Sequence, residues 1–473
     1  MAVAVRIGIY LWLRDADYLY GTAWDTFTRT LHAYRWPDAP CFYCFGGYWL
    51  PLQYWIVGTV FWLLKPVIHT SEILVPVAVN NLFWIGSLWI TYRIGERIGG
   101  GWVGLIACLL AAFFSGDIFV TYTALSEPIL IFFILLTSYY LVNFIQASQE
   151  KKGVEALKLG VAAMLATATH YVGWFLALFV SFFILTEMAK SLRKKEKRSL
   201  VFFIAVILCG VIPVIWLVFN YQTYGDILHS IQVARAYQET GVGALPTGNR
   251  FLLPIQVLIG EFAAITIAGC LSMYYIYRRE RRALLFMAAP TFIIGMIWLT
   301  TALALSAPDQ EPRYLVFWCC ATLPYIAFAS VSIWQRPGYA GKLVISLALF
   351  ILLVVNILDV RNFKNSFGLD VRDIGGQAEL FLKQAADHSV RIEGDSFTEG
   401  LAIPVLSGYP NRVDMISNND LGKIWDEAMA NMLSPDKDWL IIVKSNRFVK
   451  RARSLGLTVK KIGKYFIIYP LGY

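Results

Sequence analysis

Val201–Phe219 reads VFFIAVILCGVIPVIWLVF, without a single charged residue. A helix of that length reaches about 28 Å at 1.5 Å per residue, close to the roughly 30 Å hydrocarbon core of a bilayer. Leu284 to Leu305 and Tyr314 to Trp334 are uncharged over similar lengths. Of the 473 residues, 58% are hydrophobic and 15% charged, whereas a soluble domain carries about 25% charged residues. The surplus of apolar side chains has to meet lipid, so the chain reads as a polytopic α-helical membrane bundle.

The formal charge of +9 would in a soluble chain suggest nucleic acid. Here the basic residues stand in short runs between apolar segments, such as Arg193-Lys194-Lys195 and Arg278 to Arg282. That is the distribution of cytoplasmic loops, and it implies membrane lipids and no nucleic-acid partner. Cys108, Cys209, Cys270, Cys319 and Cys320 lie in apolar runs, where a thiol acts as a small hydrophobe. Cys41 and Cys44 lie in a polar aromatic loop, where they are either a local disulfide or two free thiols.

Placing the basic loops inside nearly forces the topology. Arg93 and Arg97 mark one cytoplasmic loop, so Ile73 to Tyr92 descends, Trp102 to Thr121 ascends and Ser126-Glu127-Pro128 lies outside. Leu159 to Met188 is basic at both flanks and too long for one span, which requires two short helices turning outside near Thr169-His170-Tyr171. Beyond it, Val201 to Phe219 ascends, Leu253 to Tyr277 descends, Leu284 to Leu305 ascends, and Arg313 lies outside before Tyr314 to Trp334 descends. Leu343 to Leu358 then ascends to an extracytoplasmic tail, giving about 11 spans.

Two segments need separate readings. Trp49 to Val67 would begin and end outside, and with Pro51, Gln53, Lys65 and Pro66 among many aromatics it reads as a helix lying in the interface. Met1 to Leu13 contains Arg6 and is too short for a span or an ordinary signal peptide. It reads as the outer end of a first helix that begins upstream. The chain thus divides into a membrane module, 1–360, and an α/β domain, 361–473. In the latter, short apolar strands such as Trp439 to Val443 and Tyr465 to Tyr469 alternate with helical stretches such as Asp373 to Asp387. It carries no glycine-rich phosphate loop, metal-spaced cluster or G-x-S-x-G, which suits a lid or acceptor platform.

The outer elements hold the residues that carry chemistry. The first contains Gly21-Thr22-Ala23-Trp24-Asp25-Thr26-Phe27-Thr28-Arg29 and then Gly47-Tyr48-Trp49-Leu50-Pro51-Leu52. The second is Tyr122-Thr123-Ala124-Leu125-Ser126-Glu127-Pro128. His170-Tyr171-Val172-Gly173-Trp174 and Pro312-Arg313-Tyr314, with Pro324, follow. In order and sidedness these resemble the GT-C class of polytopic glycosyltransferases, especially the branch similar to dolichyl-phosphate-mannose protein mannosyltransferases and aminoarabinose transferases. The resemblance covers most of the membrane portion. It implies transfer of a sugar from a polyprenyl-phosphate donor to a hydroxyl of a glycan, lipid or protein, on the non-cytoplasmic side, in one inverting displacement.

Such a reaction needs a base for the acceptor proton and cations for the departing phosphate. The resemblance makes Asp25 the base and gives Glu127 the acceptor, the tuning of Asp25, or a share in holding a divalent cation, magnesium or manganese, if one is used. Two carboxylates facing one cavity would raise each other's pKa. Arg313, Arg29 and His170 are the candidates for the donor phosphate, Arg313 first because a guanidinium forks onto phosphate oxygens. The family often has Asp-Glu where this chain has Asp25-Thr26, which disfavours a bidentate metal site there, and often Arg where it has His170. Plainer readings stand beside these. Asp25 suits a helix cap, Glu127 a helix N-terminus, Arg313 an interfacial anchor, His170 a satisfied helix turn and the loop aromatics a membrane belt. A transporter or flippase, or a non-catalytic scaffold subunit, are the rival functions. No endoplasmic-reticulum retention signal ends the chain, which favours a plasma membrane.

Overall fold

A computed structural model describes residues 2–14, 24–43, 49–67, 73–196, 198–233, 252–302, 312–335, 339–362, 368–385, 387–393, 399–416, 432, 439–443, 446–462 and 465–470. The membrane portion is helical: α1 (Ala2–Arg14), α2 (Trp24–Arg35), α3 (Leu52–Leu64), α4 (Leu74–Gly99), α5 (Gly101–Phe113), α6 (Ser115–Tyr122) and α7 (Glu127–Gln146) come first. Then follow α8 (Gln149–Thr169), α9 (Val172–Arg193), α10 (Ser199–Tyr224), α11 (Leu253–Tyr277), α12 (Leu285–Ala302), α13 (Val316–Trp334) and α14 (Tyr339–Asn362).

Among the described residues eight helices are long and apolar enough to cross a bilayer, and the pair α5 and α6, bent by 58°, makes a ninth if it is one span. The remaining two of the roughly eleven expected are α1, with 13 residues, and the more polar α8; neither meets that standard. α3 also has 13 residues, about 20 Å of helix and short of a hydrocarbon core. It does not lie loose on an interface, because Leu52, Gln53, Tyr54, Val57 and Phe61 are buried against α2 and α4. The centre of the bundle is α13, whose span is 83% buried, while α14 at 11% presents its apolar face outward.

α8 and α9 form the expected hairpin, turning at His170, but α8 starts at Gln149, ten residues before the expected apolar run. Lys151, Lys152 and Lys158 therefore lie within a helix and not in a loop before it. Lys152 is buried because its Nζ pairs with Glu187 Oε2 at 2.7 Å. A buried cation is tolerated when paired. The hairpin closes on Gly173, where an added Cβ would stand 2.2 Å from the Ala166 carbonyl oxygen. Gly173→Ala is accordingly expected to cost about 1–3 kcal/mol, the usual price of overpacking, and a thermal melt checks it; an unchanged Tm would mean that the turn shifts freely.

The ends of the helices sort by charge. Arg97 bonds to Asn143 and Gln146, and its guanidinium lies 5.9 Å from the Phe286 ring. Arg198 bonds to the Gln149 carbonyl. These contacts gather the basic ends of α4 and α10 with the end of α7 and the starts of α8 and α12, the alternation that the basic loops imply.

The tail adds α15 (Gly368–Leu382), β1 (Ser389–Glu393), α16 (Glu399–Leu406), β2 (Val413–Ile416), β3 (Trp439–Val443), α17 (Asn446–Ser454), β4 (Thr458–Ile462) and β5 (Tyr465–Tyr469). The sheet order is β2-β1-β3-β5-β4. β1 runs parallel to both β2 and β3, and β5 lies antiparallel between β3 and β4. This domain is docked on the membrane module: Phe27 and Leu31 of α2 and Tyr122 of α6 share one apolar cluster with Phe381, Ile403 and Tyr465. Arg35 adds hydrogen bonds to Asn411 Oδ1 at 3.2 Å and to the Pro410 carbonyl at 3.1 Å. α2, the helix that begins with Trp24-Asp25, is therefore clamped between the two parts.

Candidate active site

Asp25 stands in the first turn of α2, and the rest of α2 anchors the second outer loop. The Thr26 hydroxyl donates to the Thr123 carbonyl. Arg29 Nη1 donates to Gln53 Oε1 at 2.7 Å, and Gln53 Nε2 in turn donates to the Ala124 carbonyl at 2.9 Å. Asn80 Nδ2 takes the Leu125 carbonyl at 2.9 Å. Consecutive carbonyls of one short loop are thus held by side chains of α2, α3 and α4. Ala124 is kept at φ 52°, a left-handed conformation that a non-glycine residue adopts only when its surroundings impose it. The loop delivers Glu127 to the N-terminus of α7, with Pro128 in the first turn.

Arg313 enters from a short 3-10 turn, Pro312–Leu315, ahead of α13. Its Nη2 lies 3.0 Å from Asp25 Oδ2 and its Nε 3.4 Å from Glu127 Oε1. Nη2 also donates to the Tyr314 hydroxyl at 3.0 Å. The Tyr314 ring lies 5.4 Å from that of His170. Residues 288 positions apart therefore meet in one ion triad. Arg313 and Glu127 side chains are each 4% exposed, but Asp25 is 31% exposed, so Asp25 is the carboxylate that an incoming molecule can reach. Arg29 stands one turn along, its guanidinium 5.0 Å from the Trp49 ring.

The electrostatics reverse one expectation. Burial works against ionisation of Asp25, but Arg313, then Arg29, outweigh it and hold the carboxyl below its usual range. Asp25 does not show the rise expected beside a second carboxylate because a guanidinium sits between the two. His170 is pushed down to about 4 by burial, with Glu127 acting in the opposite direction. Its Nδ1 accepts the Val172 N–H at 3.2 Å, which places the proton of the neutral ring on Nε2.

The described residues contain no group of three or more His, Cys, Asp or Glu suited to a metal ion. Asp25 and Glu127 already share the Arg313 cation, so these residues do not fit a divalent ion in this arrangement, and no step is derived through one. Cys41 is disulfide-bonded, while Cys44 lies outside the described residues, as do 21–23, 47 and 48 of the first-loop motifs and the outer-loop residues 234–250.

Sequence reading missed Asp117. Its Oδ2 lies 2.6 Å from Arg6 Nη2, both side chains are buried, and the Arg6 guanidinium stacks 4.4 Å from the Trp84 ring. The signal was present, since a lone charge in an apolar run needs a partner, and Arg6 and Asp117 are two such charges. Together with Asn356, whose Oδ1 accepts the Ser115 N–H at 2.9 Å, the pair splints the break between α5 and α6.

The family model for dolichyl-phosphate-mannose-protein mannosyltransferase matches residues 73–230. That stretch holds Glu127 and His170 and leaves Asp25 and Arg313 outside. A search of curated protein sequences finds no match. Among solved structures, ArnT from Cupriavidus metallidurans bound to undecaprenyl phosphate superposes with a TM-score of 0.66 at 12% identity, covering 100% of this chain and 97% of that one. The chain has the GT-C fold. The apo oligosaccharyltransferase of Archaeoglobus fulgidus matches with a TM-score of 0.52 at 11% identity, over 96% of this chain and 71% of that one. AglB from the same organism, in complex with an inhibitory peptide and a dolichol-phosphate, matches with a TM-score of 0.51 at 10% identity, over 93% and 69%. At such identities the GT-C likeness is one of architecture, and the chemistry has to be argued from the site.

Proposed function

We propose that this protein is a membrane glycosyltransferase that moves a sugar, with inversion, from a polyprenyl-phosphate donor to a hydroxyl of a glycan, lipid or protein. The observation that carries the reading is the triad. A partly exposed carboxylate and a buried guanidinium meet at the end of the bundle where the C-terminal domain docks, opposite the basic helix ends. By the positive-inside tendency that end is extracytoplasmic.

In the reaction, Asp25 takes the acceptor O–H proton as the oxygen bonds to the anomeric carbon. The bond from that carbon to the phosphate oxygen breaks, and its electron pair leaves with the phosphate, whose charge Arg313 receives. Arg29 adds positive field from one turn away, and His170 offers Nε2–H as a neutral donor. Trp49, packed on Arg29, is an aromatic surface for a sugar ring. A transporter is the rival reading, favoured by the breaks between α5 and α6 and at Phe262 within α11, since alternating access commonly uses broken helices.

The test is donor turnover. The protein in lipid nanodiscs is given a panel of polyprenyl-phosphate sugars with mixed acceptors, and donor loss and polyprenyl phosphate release are followed by mass spectrometry. Consumption of at least one donor is expected. A folded protein that consumes none across the panel would remove the transferase reading.

A further inference from the structure

The triad has a consequence for how a donor enters, which rests on the glycosyltransferase reading above. Arg313 is buried and its charge is already shared: Nη2 bonds to Asp25 and Tyr314, and Glu127 stands 3.4 Å from Nε as an ion pair without a hydrogen bond. Arg29, the other nearby guanidinium, is turned to Gln53 and Trp49. A phosphate that seeks the Arg313 fork therefore meets an anion in place.

Of the two carboxylates, Glu127 has the weaker hold, at 3.4 Å against 3.0 Å. It is also the less exposed of the two, 4% at the side chain against 31% for Asp25. Such a carboxylate is badly placed to take a proton from an acceptor. It is well placed to neutralise Arg313 while no donor is bound, at a helix N-terminus whose dipole favours an anion. His170 lies within electrostatic reach of Glu127, and its Nε2–H is a donor to which a displaced carboxylate can turn.

We propose that Glu127 is an internal stand-in for the donor phosphate: it holds Arg313 in the donor-free protein, and a lipid phosphate binds by displacing it. Glu127 is then a positioning residue that sets donor affinity, and neither the base nor a metal ligand. Displacing a resident anion costs affinity, but it keeps a buried cation compensated through the whole cycle.

The test measures dissociation constants for undecaprenyl phosphate in nanodiscs, by native mass spectrometry, for the parent, Glu127→Gln, Glu127→Asp and the double variant Glu127→Gln/Arg313→Gln. Thermal melts confirm that each is folded. Neutralising the competitor is expected to tighten binding by at least about ten-fold, the scale of one charge-assisted contact. Glu127→Asp, with its charge drawn back from Arg313, tightens by less, and it decides the matter if Glu127→Gln does not fold. In the double variant the gain disappears.

Equal or weaker binding by Glu127→Gln, with the parent binding normally, would overturn the stand-in role and leave the transferase reading intact. A gain that persists in the double variant would overturn it too, since Arg313 would not be the contested group. If the parent does not bind undecaprenyl phosphate at all, the lipid-phosphate donor and the stand-in fall together.

Discussion

Asp25→Asn is expected to lower donor turnover by at least about 100-fold, the usual contribution of a general base, while the protein stays folded. The amide keeps the size of the carboxylate and still offers Arg313 an oxygen, so the geometry survives; what it loses is the ability to take a proton. Turnover by mass spectrometry with parallel thermal melts separates the two effects. Turnover equal to the parent's would remove Asp25 from the base role. Because Arg313 and Arg29 hold the Asp25 carboxyl below the ordinary carboxylate range against the effect of burial, the base is ionised across the neutral range. A carboxyl lowered in the folded state contributes stability that is present above its unfolded pKa and lost as pH falls through the folded one. The acid limb of the rate profile accordingly lies below the ordinary carboxylate range.

Arg313→Gln carries the largest expected cost in stability, about 3–5 kcal/mol, because it leaves the buried Glu127 beside Asp25 with no shared cation. Thermal or denaturant unfolding reads this directly, and a Tm equal to the parent's would show that the triad does not compensate Glu127. The same change frees Asp25 from its chief stabilising charge, so its pKa rises and the acid limb of any residual activity moves to higher pH. Arg313→Lys separates charge from shape. An ammonium restores much of the stability, but it lacks the planar fork that serves two oxygens at once, so turnover is expected to stay low.

The membrane fold was largely legible in the chain because a spanning helix is a local fact. A run such as Leu253 to Tyr277 states its own boundaries, and the helix there ends where the apolar residues end. Trp439 to Val443 and Tyr465 to Tyr469 were equally plain, being short apolar runs among charges, and they are strands β3 and β5. Less legible was α8, since Lys152 looks like a loop residue until Glu187, from the facing helix, is seen beside it. The bend between α5 and α6 was hidden too, because Phe114-Ser115-Gly116 lies inside one continuous apolar stretch.

By itself the sequence marked the long apolar segments and the basic runs between them, and it put Asp25, Glu127, His170 and Arg313 into stretches expected to share one side. Hydropathy and charge mark such segments locally, whatever the helices later pack against. Only the tertiary structure decided what those residues do to one another. It set Arg313 between two carboxylates and so reversed the shift expected of Asp25, paired Arg6 with Asp117, and joined the C-terminal domain to α2. The interaction between two charges depends on their separation and on what lies between them. That separation comes from the way α2, α7 and α13 cross, which no single segment of the chain contains.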